Sequence, residues 1–214
     1  LKELKNNWGN SKVKTIMKKI FFPVLVMLSG MAYAQDFGKN MTTARSSYSS
    51  GNLEDARFAM EQMLRDLDLA IGKEILKLLP LKAGTLAANE KADQVSGGSA
   101  GGLGLMVHRE YGVAPKTANI EIINNSPLIN SIQSILTMPV IGGMVRDENQ
   151  KVVKVQGYKS LLNRTLREDG KTDYELQVPM NNTMLTVRMT ETSEGDITSF
   201  ANTLPLAKIV QLAQ

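Results

Sequence analysis

Apolar positions recur at two different spacings along this chain, and the change from one to the other divides it. Between Leu53 and Leu79 the residues Ala56, Met60, Met63, Leu67, Ala70 and Ile71 recur at the three- and four-residue spacing of one helix face. Asn52, with Asp55 three residues on, supplies a cap resembling a capping box, and Pro80 stops the run. The pattern predicts a long amphipathic helix over 52–80, about 40 Å long if unbroken. Gly72 is the expected bend.

From residue 103 the period falls to two. Leu103, Leu105, Val107 and Arg109 alternate with Met106, His108 and Glu110, and Ala118, Ile120 and Ile122 alternate with Thr117, Asn119 and Glu121. Two strands joined across Tyr111–Pro115 are expected. Ser126 and Pro127 then read as the cap and first residue of a helix with Leu128, Ile129, Ile132, Ile135 and Leu136 on its apolar stripe. Pro139 ends that helix, and Ile141–Met144 adds a short turn. Three strands follow: one from Val153 running through Leu162, one through Tyr174, Leu176 and Val178, and one through Leu185, Val187 and Met189. Turns fall at Glu168–Lys171 and Met180–Thr183, and the latter explains Asn181 better than a sugar-attachment site does. Ser193 and Asp196 cap a last helix, which Pro205 breaks. The fold class is α+β: an antiparallel five-stranded sheet, in the order β-β-α-β-β-β-α, packed with helices and preceded by the long helix.

The start of the chain reads differently. Met17-Lys18-Lys19, the apolar run Ile20–Leu28 and the Ala32-Tyr33-Ala34 triplet form the pattern of a secretory signal peptide over 17–34. The apolar run is shorter than the roughly 20 residues a membrane span needs. Cleavage is expected between Ala34 and Gln35, giving a periplasmic or secreted protein with no transmembrane span. Residues 1–16 read as an over-extended start. Residues 35–51, rich in Ser, Thr and Asn, read as a flexible lead-in. Residues 81–102 read as a Gly/Ser-rich connection, and 103–214 as the α+β domain.

Export changes the meaning of the charge. The 214-residue chain carries a formal net charge of +4. Removing residues 1–34 takes away six lysines and Glu3, leaving 19 basic and 20 acidic residues. The basic balance therefore gives no argument for a nucleic-acid partner. The absence of cysteine rules out disulfides, thiolate chemistry and cysteine-ligated metals, and a single histidine rules out a His-pair metal motif.

Little in the sequence points to catalysis. The glycines of 97–104 lack the Gly-Lys-Ser/Thr ending of a phosphate loop. His108 is the one side chain of the usual general-base type, and a hydrolase would have to use it together with a serine and an acid. Adjacent acid pairs such as Glu168 and Asp169 point apart on regular structure. No catalytic, metal-binding or cofactor-binding residues are assigned, and no cofactor is expected. His108, Arg109, Tyr111 and Arg188 are the candidates for contact with a ligand or partner.

The Ser-Pro-Leu-Ile helix after a hairpin, the three-strand meander and the final helix after Glu194-Gly195-Asp196 together resemble the Mog1/PsbP-like α/β/α sandwich proteins. With the Ile122–Pro127 stretch, the chain also resembles uncharacterised secreted proteins of Bacteroidetes-type bacteria. The resemblance implies a binding or accessory protein and carries no catalytic residues over. The reading that follows is a non-enzymatic periplasmic or secreted binding protein, its partner an envelope protein or a small ligand. The alternatives are a periplasmic hydrolase using His108 and an envelope protein that self-associates through the helix at 53–79.

Overall fold

The structure, a computed structural model, describes residues 36–98, 104–137 and 149–213. The expected signal peptide over 17–34, the expected over-extended start over 1–16 and the turn expected at Ile141–Met144 lie outside the described residues. The chain divides into two compact units, Leu1–Met63 and Leu64–Gln214.

In the first unit, helix α1 occupies residues 36–49, and helix α2 (Leu53–Leu78) begins after a short turn. Residues 36–49 of the expected flexible lead-in over 35–51 are thus helical. Its many hydroxyls do not break the helix, because they bond back to its own carbonyls: Thr42 to Gly38 O at 3.0 Å and Ser49 to Arg45 O at 2.9 Å. Phe37, Met41, Ala44 and Tyr48 also fall at helical spacing. Asn52 caps α2 as expected. Its Oδ1 accepts from Asp55 N at 3.3 Å and its Nδ2 donates to Asp55 Oδ2 at 2.5 Å. The buried apolar positions here are Ala44, Ala56 and Ala59, side chains small enough for closely approaching helices.

The second unit holds the rest of α2, a small hairpin of β1 (Lys82–Ala83) and β2 (Leu86–Ala87), and a seven-stranded antiparallel sheet. The strands of that sheet are β3 (Gln94–Ser96), β4 (Met106–Val113), β5 (Lys116–Asn124), β6 (Gln150–Val155), β7 (Tyr158–Leu166), β8 (Thr172–Met180) and β9 (Thr183–Met189). Their spatial order is β3-β4-β5-β9-β8-β7-β6. Three helices complete it: α3 (Leu128–Thr137), α4 (Glu194–Asn202) and α5 (Leu206–Ala213).

The expected five strands are therefore seven, for two reasons. First, the region read as a connection over 81–102 contains β1, β2, a short 3-10 turn and β3, which pairs with β4 through Val95 opposite Val107. Second, the strand expected to run from Val153 through Leu162 is a hairpin. Gln156 at φ 48° and Gly157 at φ 89° form a two-residue turn between β6 and β7. Both central residues take positive φ, as tight hairpins of this kind require. The other two turns fall where expected, at Glu168–Lys171 and at Asn181-Asn182.

Gly72 does not bend α2, which is continuous. A Cβ at Gly72 would stand 2.3 Å from Val95 Cγ1 and 2.8 Å from Leu105 Cδ1. The glycine is where helix meets sheet. The buried positions of α2 in this unit are Gly72 and Ile75, followed by Leu79, whereas Leu67 and Ala70 of the expected face are exposed. In the first unit Met60, also of that face, is exposed.

One face of the sheet carries Val107, Tyr111, Ile120, Ile122, Leu185 and Val187, packed with Ile75, Leu79 and the apolar sides of α4 and α5. On the other face α3 covers a smaller cluster, with Ile129, Ile132 and Leu136 against Leu161 and Met184. Ser126 Oγ accepts from Leu128 N at the start of α3, and Ser193 Oγ accepts from Asp196 N at the start of α4. No helix among the described residues is long and apolar enough to cross a membrane.

Candidate functional site

The four candidates of the sequence lie on two strands, β4 and β9, with β5 between them, and do not form one site. Alternation along β4 sends Arg109 and Tyr111 to the helix-covered face and His108 and Glu110 to the other.

Arg109 and Tyr111 hold the fold together. Arg109 is buried, and its Nε and Nη2 donate to the two carboxylate oxygens of Asp93 at 2.9 and 2.5 Å. Its Nη1 donates to Leu79 O at 3.1 Å, satisfying a carbonyl at the end of α2. The Asp93 hydrogen bond and charge outweigh burial and raise the Arg109 pKa above its ordinary value. Tyr111 OH donates to Pro80 O at 2.9 Å, and its ring meets Phe200 edge-on at 5.2 Å. Burial raises the Tyr111 pKa, against the opposing pull of Arg109. Both side chains were candidates for ligand contact because they are a cation and a phenol on a strand. In the structure their polar atoms are taken by the chain itself.

Arg188 lies on the other face, between two carboxylates from neighbouring strands. Its Nε donates to Glu175 Oε2 at 2.5 Å and its Nη1 to Glu121 Oε2 at 3.1 Å. Burial opposes its charge most strongly, but Glu175 and Glu121 together raise its pKa. His108 stands in register with Glu121 and Gln94, its Nε2 3.5 Å from Glu110 Oε1. This half of the face is a charged, half-exposed surface beside the apolar ground under α3. Among the described residues no group of three or more His, Asp or Glu is disposed to hold a metal ion.

A cavity of about 340 Å³ opens elsewhere, at the end of the sheet. The turn of the β1–β2 hairpin, the start of β5, the residues after β9 and one side of α4 enclose it. Leu86, Met189 and Phe200 give it apolar ground. Thr190 braces the wall: its Oγ1 accepts from Thr117 N at 3.0 Å and donates to Pro115 O at 2.6 Å. The hydroxyls of Thr85, Thr192 and Ser199 and the ammonium of Lys116 also line the cavity and have no side-chain partner among the described residues. Asp196 contributes a carboxylate whose Oδ2 is held by Ser193 Oγ at 2.7 Å.

Sequence reasoning did not find this cavity. Its residues come from four stretches of chain, and each has a local explanation: Thr85 in a turn, Lys116 at a strand start, Asp196 in a cap. The available signal was the density of hydroxyls from Thr190 through Ser199 to Thr203, directly after an apolar strand. His108, on the other face, does not line it. Comparison with protein-family models, with curated proteins and with solved structures finds no match.

Proposed function

We propose that this chain is a non-enzymatic exported protein, periplasmic or secreted, that binds a small hydroxyl-bearing ligand in the cavity beside α4. The observation that carries this reading is the cavity's chemistry. Ser and Thr hydroxyls without a side-chain partner among the described residues, each able to donate and accept, stand around apolar ground at the low end of the volumes that ligand sites occupy. Lys116 and Asp196 supply opposite charges, so a neutral ligand suits the cavity better than a strongly charged one. The Met17–Ala34 pattern supports export.

The test is native mass spectrometry of protein purified gently from the cell that makes it. A bound small mass is expected. It should be lost in Ser199→Trp, which fills the cavity from an exposed position on α4. A bare wild-type protein that also shows no chemical-shift changes on titration with neutral mono- and disaccharides would overturn the reading.

A further inference from the structure

Among the described residues the two edges of the seven-stranded sheet are finished differently. At one edge β3 pairs with the start of β4, and further along Ala88 bridges to Tyr111 and Asn89 N donates to Glu110 O at 2.8 Å. At the other edge stands β6, with no described strand beyond it. Its pairing with β7 fixes which way its peptides face. The two-residue turn at Gln156-Gly157 closes on Val155 and Tyr158, and Arg164 N donates to Asn149 O at 2.7 Å. Asn149, Lys151, Val153 and Val155 therefore bond inward to β7. The N–H and C=O groups of Gln150, Val152 and Lys154 point out from the sheet edge, and among the described residues nothing bonds to them.

The chemistry along this edge is cationic. The strand reads Gln-Lys-Val-Val-Lys-Val and holds no acid. Lys151 is occupied: on the face packed by α4, its Nζ meets Glu194 Oε1 at 2.6 Å. Lys154 is on the opposite face with Val152, directly across from Lys159 of β7. Both lysines are exposed, and neither has a carboxylate partner among the described residues. Like charges directly opposite on neighbouring strands are unfavourable. A carboxylate beside Lys154 relieves this. On an added strand it would lie two strand spacings, about 10 Å, from the Lys159 backbone, within the combined reach of two long side chains.

We propose that β6 is the docking edge for an extended acidic segment of a partner protein, which joins the sheet as a further strand and sets a carboxylate beside Lys154. The outward amides and carbonyls supply main-chain bonds along it, and the lysines select the strand that is accepted. Charge complementarity favours this occupant over a second copy. Two β6 strands paired about a two-fold axis at Val152 would bring Lys151 and Lys154 of both copies to one seam, with no acid on either strand. Edge lysines repel such self-pairing, and the same charge admits an acidic strand. Between the lysines, Val152 at the margin of the α3 cluster and Val153 at the margin of the main core give each face of the added strand an apolar contact. None of these residues lines the cavity, so the proposal stands apart from the ligand reading.

The experiment is fluorescence anisotropy of the labelled peptide Thr-Glu-Val-Val-Val-Glu-Thr, titrated with the full chain. Its palindromic pattern sets a glutamate beside Lys154 and a valine beside Val152 in either direction. The wild type is expected to bind it about tenfold or more tightly than Thr-Lys-Val-Val-Val-Lys-Thr. Lys154→Glu should weaken binding about tenfold. Val152→Pro should do the same, because it removes an outward amide and leaves the bonds to β7 in place. Lys82→Glu makes the same charge change on the hairpin beside the opposite edge, and should bind as the wild type does. Circular dichroism should be unchanged in all three variants. No binding by the wild type, or equal binding of the two peptides, would overturn the proposal. So would undiminished binding by Lys154→Glu or Val152→Pro, or equal weakening by Lys82→Glu. A wild type that sediments as a dimer, dispersed by Val152→Pro, would give the edge to a second copy and overturn it too. Small-ligand capture by Val152→Pro should match the wild type, so failure of the edge and failure of the cavity reading are told apart.

Discussion

Arg109 and Asp93 form a two-pronged ion pair in which both carboxylate oxygens are gripped, and the third arm of the guanidinium ends α2 at Leu79 O. The side chains are 4% and 14% exposed. Removing one partner from such a pair leaves an uncompensated charge in the protein, at about 3–5 kcal/mol. Asp93→Ala is therefore expected to lower the unfolding free energy by that order, read from urea melts. Adding Arg109→Met to Asp93→Ala should recover much of the loss, since the stranded charge is then gone. A double variant no more stable than the single would show that the pair's geometry, and not its charge, holds the region.

Tyr111 gives the protein a pH dependence of known sign. Burial raises its pKa above the ordinary 10.0, so the folded state favours the neutral phenol. Its contribution to stability is full below pH 10.0 and is lost as the pH climbs through the raised value. Tyr111→Phe should lose about 1–3 kcal/mol at neutral pH, because Pro80 O is left without its donor. It should also flatten the fall in stability above pH 10.0, read from urea melts at stepped pH.

Gly72→Ala opposes two effects. Alanine is the better helix former by about 1 kcal/mol. Its Cβ would meet Val95 Cγ1 at 2.3 Å and Leu105 Cδ1 at 2.8 Å, and overpacking of this kind costs about 1–3 kcal/mol. The clash involves two buried or half-buried side chains, so net destabilisation is expected in thermal melts. Val95→Ala should relieve part of it.

Gln156 sits where a tight turn would favour asparagine, at φ 48°. Its longer side chain reaches the C-terminal end of α4, where Nε2 donates to Leu204 O at 2.7 Å and to Asn202 O at 3.2 Å. Gln156→Asn improves the turn and gives up that reach. A loss of about 1 kcal/mol is expected, because carbonyls at a helix end are left to water. A stabilised Gln156→Asn would show that turn preference governs this position.

The same glutamine shows why part of the fold could not be read from the sequence. Period-two alternation places Val107, Ile120, Ile122, Leu176 and Leu185 on the core face whatever surrounds them, and β4, β5, β8 and β9 follow from it. Asn52, Ser126 and Ser193 cap their helices as expected, because a cap is satisfied within a few residues. By contrast, the Gln156-Gly157 turn is stabilised by contacts with α4, more than forty residues away in the chain, and carries no strong local turn pair. Strand β3, three residues long, exists because β4 offers it an edge.

What the sequence determined by itself is what local sterics and period determine: the two-periodic strands, the amphipathic α2, the capped helix starts and the Glu168–Lys171 turn. Tertiary structure decided the rest. It chose which side of α2 is buried, since apolar residues surround much of that helix and only Gly72 allows close approach to Val95 and Leu105. It turned Arg109 and Tyr111 from candidate ligand contacts into fold contacts, by bringing Asp93, Leu79 and Pro80 to them. It also assembled the cavity from four separate stretches of chain, and no spacing within one stretch encodes a wall shared by four.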